Sequence, residues 1–322
     1  MYTEHYGLSG PPFGDAADPA FYFDSQTHRK AMAYLGYGLA QGEGFIVLTG
    51  EEGTGKTTLI GHLLATIDHA RLLPARFPAA PGMTGASLLG AVAEAFDLPA
   101  QDDLEEEAFT RIEHFLLSQA RIGKHALLIV DDAHILSAPA LIALHRLSAI
   151  GDGSAALLQI GLFGGPALHE TLAAPMLEPL RQRVIATHRL EPLQREEVEA
   201  YVEHRLALVG CLGTPRFAGD AFAALYGRTG GVPRALNRLA DRLLQLGAAE
   251  ARSILDADAV ARAVSPAVEA APDLSLARRI AGLEARVEEQ EIALRRALGV
   301  LIDWVESDIE RPSADTRSRS VA

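Results

Sequence analysis

A glycine-rich octapeptide, GEEGTGKT at residues 50–57, restricts the folds open to this chain more than any other stretch. It has the spacing G-x-x-x-x-G-K-[ST], follows the apolar run GFIVLTG at 44–50 and opens the helical pattern KTTLIGHLLATI at 56–67. In such a strand-turn-helix, glycines let backbone N–H groups point inward at the positive end of a helix, where phosphates bind. The sequence therefore predicts a nucleotide phosphate site.

The chemistry of the motif assigns roles to its residues. Lys56 is expected to reach the β- and γ-phosphates, and the Thr57 hydroxyl to bind Mg²⁺. ATP and Mg²⁺ are therefore the predicted cofactors. The predicted nucleotide-binding residues are Gly50, Glu51, Glu52, Gly53, Thr54, Gly55, Lys56, Thr57 and Thr58.

Two adjacent carboxylates end a second apolar run. ALLIVDDAH at 126–134 carries apolar residues directly into Asp131 and Asp132. Because ligands bind at the carboxyl ends of strands in parallel sheets, Asp131 is expected to hold Mg²⁺ through water beside the phosphate loop. A surface turn with two solvated acids fits poorly with the apolar residues that precede them.

Short apolar runs alternate with helical patterns up to Leu190, which predicts an α/β fold with a parallel sheet covered on both faces. Residues 1–24 are rich in Pro, Gly and aromatics and predict an ordered loop. Ser25 is predicted to cap a helix over 26–41. After Leu190 the pattern is helical and no further strand is expected. The predicted units are an α/β domain at 1–190, a helical domain at 191–265, a linker at 266–275, a long helix at 276–311 and a disordered tail at 312–322.

Charge and cysteine content exclude several classes of function. The 322 residues carry a formal net charge of −13, which argues against non-specific coating of nucleic acid. The single cysteine, Cys211, excludes a disulfide framework and a Cys-cluster zinc site. The N-terminus lacks the apolar core of a signal peptide, and no uncharged run is long enough to span a bilayer. A cytoplasmic protein without a membrane span is expected.

Several motifs, in order over residues 1–260, resemble one family. The opening MYTEHYGLSGPPFG, the run GFIVLTGEEGTGKTTL, LLIVDDAH, LLQIGLFGGPALHETL, LRQRV and GGVPRALNRLADR are similar to AAA+ ATPases of the general secretion pathway protein A (ExeA) type. Within that type they most resemble the secretion ATPases found with exosortase/PEP-CTERM exopolysaccharide loci. The resemblance implies a P-loop NTPase core with a helical lid, and ATP bound between the two.

The resemblance also implies roles for three arginines. Arg234 would be the sensor-2 arginine of the lid, which reaches the γ-phosphate when the lid closes. Its place after the turn GGVP, at a helix start, agrees with that role, and a solvated helix arginine is the alternative. Arg181 and Arg183 precede the last core strand, where such proteins place an arginine finger that acts on a neighbouring subunit. Ordinary surface arginines are the alternative there. By the same resemblance, the N-terminal loop packs near the adenine.

Two positions depart from the family pattern. The family has Asp-Glu where this chain has Asp131 and Asp132, and it has Gln in GQPEL where this chain has Gly165 in GGPAL. An Asp side chain is one methylene shorter than Glu, and a misplacement of about 1 Å at a catalytic group costs on the order of 10²-fold in rate. Asp132 is therefore expected to orient the attacking water less well. The sequence predicts nucleotide binding with slow hydrolysis.

A heptad pattern occupies residues 276–311. Apolar residues at alternating steps of three and four form a seam that is interrupted by Gln290. Arg279 and Glu284 fall at g and e positions, which pair across chains in a parallel dimer. A coiled coil and a homo-oligomer are predicted, with a helix that docks on the lid or on a partner as the alternative.

Together these features predict an ATP-binding AAA+ ATPase that assists an envelope secretion or exopolysaccharide export system. A secretion-system protein bound by the C-terminal helix would hold the cytoplasmic chain peripherally at the inner membrane. One alternative is a non-hydrolysing, nucleotide-dependent assembly switch. The other is a DNA transposition ATPase of the TniB/TnsC kind, which the acidic charge and the lack of a basic recognition helix disfavour.

Overall fold

One parallel β-sheet organises the part of the chain that this computed structural model describes, residues 2–14, 18–99, 104–151 and 156–264. Its strands, in chain order, are β1 Phe45–Gly50, β2 Leu72–Pro78, β3 His125–Asp131, β4 Leu158–Gly164 and β5 Val184–Leu190. They pair in the order β2-β3-β4-β1-β5, and every pairing is parallel. The predicted α/β fold with a parallel sheet is confirmed.

Helices cover the sheet and continue beyond it. Those in the described residues are α1 Tyr2–Tyr6, α2 Gln26–Gln41, α3 Lys56–Thr66, α4 Gly85–Ala95, α5 Glu105–Arg121, α6 Ala138–Ser148, α7 Ala167–Leu172, α8 Glu178–Arg181, α9 Val198–Leu208, α10 Gly219–Thr229, α11 Pro233–Ala249 and α12 Ala257–Val264. Ser25 caps α2 as predicted, since its hydroxyl accepts the His28 N–H. Short 3₁₀ turns form at Pro19–Phe21 and at Ala133–Ile135, directly after β3.

Alternate residues of the sheet face two different cores, because successive side chains of a strand point to opposite sides. In β1, Phe45 and Val47 pack on the side of α4, α5 and α6, whereas Ile46 and Leu48 pack on the side of α2 and α3. All four side chains are buried. Burial on both faces explains the continuous apolar runs of these strands, whose carboxyl ends meet at one edge.

A third core lies among the helices after β5, and the amino-terminal segment belongs to it. Tyr6 and Phe13 pack with buried residues of α9, α10, α11 and α12. The Tyr6 hydroxyl donates to the Arg252 carbonyl at 3.0 Å, and Nε of Arg205 donates to the Pro12 carbonyl at 2.6 Å. The first residues of the chain therefore stabilise its helical part.

Two sequence-based expectations were wrong. Residues 1–24 are not only a loop, because α1 and the 3₁₀ turn at Pro19–Phe21 form within them. Strands also continue after Leu190, since β6 Arg216–Phe217 and β7 Ile254–Leu255 form a parallel ladder. Two-residue strands are too short to show an alternating pattern, so packing between distant segments decides where they form.

The described fold ends with α12, and Met1–Val264 forms one compact unit. The predicted boundary between residues 190 and 191 stays a prediction. The predicted linker, heptad helix and tail, at 266–322, lie outside the described residues. Within the described helices, none is long and apolar enough to cross a membrane.

Candidate functional site

The phosphate loop joins β1 to α3 through a turn that depends on two glycines. Gly53 and Gly55 have φ values of 82° and 99°, which residues with a side chain rarely adopt. A Cβ on Gly53 would lie 2.6 Å from Cβ of Arg234, and a Cβ on Gly55 would lie 2.9 Å from Nε2 of His28. The turn therefore packs closely against its neighbours, and its amides lie at the start of α3, where an anion binds.

Lys56, the first residue of α3, folds back over the loop. Its Nζ donates to the carbonyls of Gly50 at 2.9 Å and of Glu51 at 2.8 Å, and the side chain is buried. Burial lowers the pKa of Lys56, while the nearby carboxylates of Asp132 and Asp131 oppose that shift. Because phosphate oxygens are stronger acceptors than carbonyls, this ammonium group is available to a phosphate.

Asp131 lies at the end of β3 beside the loop, and its carboxylate accepts three hydrogen bonds. Oδ2 accepts from the Thr57 hydroxyl at 3.0 Å and from Nη2 of Arg76 at 2.7 Å. Oδ1 accepts from the Asp132 N–H at 3.0 Å. A hydroxyl and a carboxylate are oxygen donors of the kind that Mg²⁺ binds. The residues at this point therefore fit a magnesium ion that arrives with nucleotide phosphates.

Sequence reasoning missed Arg76. Arg76 lies in β2, two residues before Pro78, which is the register partner of Asp131. The Arg76 side chain therefore reaches the end of β3. The available signal was Arg76 itself, a charged residue inside the otherwise uncharged run LLPARFP at 72–78. The order and register of the strands decide this contact.

Asp132 begins the turn that brings the His134 side chain to the end of β4. Its φ is 53°, and its exposed side chain lines the same cavity as Lys56 and Thr57. A Cβ on Gly165 would lie 3.3 Å from the ring of His134. The imidazole thus covers the glycine that stands where the ExeA-type pattern has Gln. Within the described residues, the buried Nδ1 of His134 has no hydrogen-bond partner.

The start of α11 rests on the phosphate loop. The Arg234 N–H donates to the Gly53 carbonyl at 3.1 Å, and the Arg234 guanidinium contacts the Glu52 carboxylate. Pro233 and Asn237, on the same helix, line the cavity with Arg234. The structure thus places Arg234 beside the loop, and its response to the γ-phosphate stays a prediction.

These groups surround a cavity of about 400 Å³, a size typical of small-molecule sites. Part of its wall is aromatic and comes from the segment before α2. Tyr22 stacks on His62 of α3 with ring centroids 3.8 Å apart. Burial raises the pKa of Tyr22 to about 12, and within the described residues its hydroxyl has no partner. A flat aromatic wall with one buried donor suits a nucleotide base.

His28 supports the loop from that same segment. The Ser25 hydroxyl oxygen accepts the His28 N–H at 3.2 Å and lies 2.7 Å from Nδ1, so the hydroxyl proton is free to bond Nδ1. The other ring nitrogen, Nε2, faces Gly55. Burial lowers the pKa of His28 to about 4, so the ring is neutral at pH 7. Sequence reasoning named the cap but gave His28 no role.

The model of the AAA domain family matches residues 39–172, which contain the phosphate loop, Asp131 and Gly165. The parallel sheet carries that loop at the carboxyl end of β1. Residues 39–172 carry an AAA domain, on a fold of the AAA+ P-loop type. The chain is 38% identical over 249 residues, 76% of its length, to General secretion pathway protein A of Aeromonas hydrophila, and it spans 44% of that relative. The resemblance to the ExeA type is confirmed.

Solved structures share the fold of this chain. The Aeropyrum pernix ORC2 protein has a TM-score of 0.57 at 16% identity, over 74% of this chain and 66% of that chain. Cdc6p from Pyrobaculum aerophilum has a TM-score of 0.57 at 16% identity, over 73% and 67%. A Walker-type ATPase of Pyrococcus abyssi has 0.53 at 15% identity, over 84% and 76%. At these identities the likeness shows the fold alone.

Arg181 and Arg183 lie at the other end of the AAA+ sheet. They precede β5, which runs parallel to β1, whereas the phosphate loop follows β1. Nη1 of Arg183 donates to Oγ of Ser148 at 3.0 Å, and Arg181 pairs with Glu178. From this position either arginine would act on the nucleotide of another copy, and the finger role stays a prediction.

Proposed function

We propose that this AAA+ protein binds ATP with Mg²⁺ between its phosphate loop and the start of α11, and hydrolyses it slowly. One observation carries the proposal. Lys56, Thr57 and Arg234 line a single cavity, and Thr57 is hydrogen-bonded to Asp131. Groups for binding phosphate, holding a metal ion and responding to the γ-phosphate therefore meet at one place.

The residues have different roles in this mechanism. When ATP binds, Lys56 would exchange its two carbonyl acceptors for β- and γ-phosphate oxygens. Thr57 and Asp131 would hold Mg²⁺, which would offset phosphate charge. Asp132 orients a water molecule toward the γ-phosphorus and accepts its proton, and ADP and phosphate leave. Arg234 contacts the γ-phosphate and offsets the charge that develops on it.

Two features support a slow rate. The exposed Asp132 side chain is one methylene shorter than the Glu of the ExeA-type pattern. Gly165 has no side chain with which to bind phosphate or water at the end of β4. Since a misplacement of about 1 Å costs on the order of 10²-fold, both features reduce turnover without removing nucleotide binding.

Phosphate release tests the proposal. Lys56→Ala and Asp131→Asn are expected to abolish release, whereas Asp68→Asn, at an exposed acid outside the site, is the matched control and is expected to retain it. Asp132→Glu is expected to raise the rate by up to about 10²-fold with unchanged ATP affinity. A fast basal rate that Asp132→Glu leaves unchanged would show that the short Asp132 side chain does not limit hydrolysis.

The proposal extends to the cell through similarity to General secretion pathway protein A. We propose that ATP turnover assists an envelope secretion system, with exopolysaccharide export as the specific case. The heptad helix at 276–311 would bind a secretion-system protein and hold the cytoplasmic chain at the inner membrane. In a deletion strain, the wild-type gene is expected to restore export and Lys56→Ala is not. If Lys56→Ala restored export, ATP binding would not be required for export.

Self-association is part of the same proposal. Arg181 and Arg183 lie at the end of the sheet opposite the chain's own loop, so a finger contribution requires a second copy. Sedimentation of the full chain is expected to show a larger species with ATP and Mg²⁺. Hydrolysis per chain is expected to rise with protein concentration in the wild type but not in Arg183→Ala.

A non-hydrolysing assembly switch is the second candidate, and the missing side chain at Gly165 favours it. Asp132→Asn separates the two candidates, because it removes the group that activates water and leaves the phosphate loop intact. A switch predicts that Asp132→Asn restores export in the deletion strain as well as wild type does. An ATPase predicts that it fails while still binding ATP.

A further inference from the structure

We propose that Arg76 is a positioning residue that fixes the Asp131 carboxylate and sets the Mg²⁺ concentration at which this protein binds ATP. The inference rests on the proposed ATP site, to which it adds a control on metal binding. Nη2 of Arg76 donates to Oδ2 of Asp131 at 2.7 Å, and the same oxygen accepts from the Thr57 hydroxyl at 3.0 Å. Thr57 and Asp131, the residues expected to hold Mg²⁺, thus meet at Oδ2 of Asp131, and the Arg76 guanidinium already lies beside this oxygen.

The ion pair between Arg76 and Asp131 is partly buried, which increases its effect on the carboxylate. The Asp131 side chain is 5% exposed and that of Arg76 is 33% exposed. A carboxylate this buried is costly without a cation, because desolvation is not offset by a nearby charge. Arg76 supplies that charge and holds the carboxylate in place next to the phosphate loop.

Strand pairing places Arg76 close to Asp131. Arg76 and Pro78 lie in β2, which pairs with β3 along its whole length, and Pro78 is the register partner of Asp131. The other carboxylate oxygen, Oδ1, accepts from the Asp132 N–H. The Asp131 carboxylate is therefore held on one side by Arg76 of the neighbouring strand and on the other by the backbone just after β3, and a metal ion must share it with Arg76.

Sharing a carboxylate with a guanidinium weakens its attraction for Mg²⁺. The positive charges of Arg76 and of the metal repel each other across a few ångströms of partly solvated protein. At the effective dielectric of such a position, this repulsion lowers Mg²⁺ affinity on the order of tenfold. In the proposed site, ATP would therefore bind productively only above a Mg²⁺ threshold that Arg76 sets.

The test is a Mg²⁺ titration of the full chain at a fixed concentration of fluorescent mant-ATP, read as nucleotide binding rather than hydrolysis. Arg76→Gln is expected to lower the half-saturating Mg²⁺ concentration on the order of tenfold. Arg76→Lys keeps the charge and is expected to stay within about twofold of wild type. Arg71→Gln removes a charge just before the same strand, from an arginine paired with Asp68, and is expected to leave the titration unchanged.

A double-mutant comparison covers the case in which Arg76→Gln fails to fold with a buried, unpaired carboxylate. Asp131→Asn removes that charge, so Arg76→Gln in the Asp131→Asn background is expected to fold. Because the repulsion between Arg76 and the metal does not require the carboxylate, the double variant is expected to need less Mg²⁺ than Asp131→Asn alone. An unchanged or raised Mg²⁺ requirement, in folded Arg76→Gln relative to wild type or in the double variant relative to Asp131→Asn alone, overturns the role of Arg76. Absence of mant-ATP binding by the wild type overturns the proposed ATP site instead.

Discussion

Arg234 and Gly53 meet backbone to backbone, the N–H of Arg234 donating to the Gly53 carbonyl at 3.1 Å. This bond joins the first turn of α11 to the phosphate loop. The Arg234 side chain also contacts Glu52, a neighbour of Gly53 in the loop. The helix that would report on the γ-phosphate and the loop that would hold it are therefore mechanically linked.

Gly53→Ala is expected to lower ATP affinity by at least about tenfold, because the new Cβ would lie 2.6 Å from Cβ of Arg234 at a φ of 82°. The measurement is mant-ATP binding to the full chain. Gly90→Ala is the matched control, since Gly90 lies in α4 with nothing within 4 Å of the new Cβ. Gly90→Ala is expected to bind ATP as wild type does. Equal affinities for the two variants would contradict the close packing described for Gly53.

Glu52→Gln is expected to increase the preference for ATP over ADP several-fold. The Glu52 carboxylate pairs with the Arg234 guanidinium, and its removal leaves that cation free for a γ-phosphate. Competition between ATP and ADP for mant-ADP measures the preference. Glu191→Gln, which weakens an exposed pair with Arg189 instead, is the control, and Arg234→Ala is expected to abolish the preference. A weaker preference in Glu52→Gln would mean that Glu52 positions Arg234 rather than competing for it.

A polar side chain at position 165 is expected to speed hydrolysis only when His134 is shortened. A Cβ on Gly165 would lie 3.3 Å from the His134 ring, so Gly165→Gln alone is crowded by the ring and is expected to hydrolyse ATP no faster than wild type. The double variant Gly165→Gln, His134→Ala is expected to hydrolyse faster than either single variant. Steady-state phosphate release gives the comparison. Additive effects of the two changes would show that the residues act independently.

His28 is expected to make the fold sensitive to acid. Its pKa is about 4 in the folded protein, because of burial, and about 6.5 in an unfolded chain. Between these values the unfolded chain binds more protons, so the free energy of unfolding falls as pH drops from 6.5 toward 4, by up to about 3 kcal/mol. Urea unfolding at several pH values measures this loss.

His28→Asn is expected to be less stable at pH 7 but to lose this part of the pH dependence. His169→Gln, at an exposed histidine, is the control and should keep the wild-type slope. The same slope in His28→Asn and wild type would place the acid sensitivity elsewhere.

Local pattern predicted much of the core, because local contacts produce it. Ser25 caps α2 through a hydroxyl three residues from the amide that it accepts, and the apolar run before Asp131 becomes β3. Such features depend on residues within a turn or a strand of one another. Their chemistry can be read along the chain, as can the spacing that places Lys56 and Thr57 at the start of α3.

Features formed by distant residues were not predictable. The α1 helix packs into the core of α9 to α12 through Tyr6, whose hydroxyl reaches the Arg252 carbonyl. The β6 and β7 strands have two residues each and form only as a pair. Neither has a local period that a sequence pattern could reveal.

By itself, the sequence determined which residues form the phosphate loop and which strands end in polar groups. These features involve residues only a few positions apart, so local backbone geometry fixes them. Only the tertiary structure decided which neighbours those groups have. The β2 register sets Arg76 against Asp131, and the turn after β3 sets His134 over Gly165. Contacts of this kind depend on strand order and on the packing of separate elements, which hydrophobic periodicity does not specify.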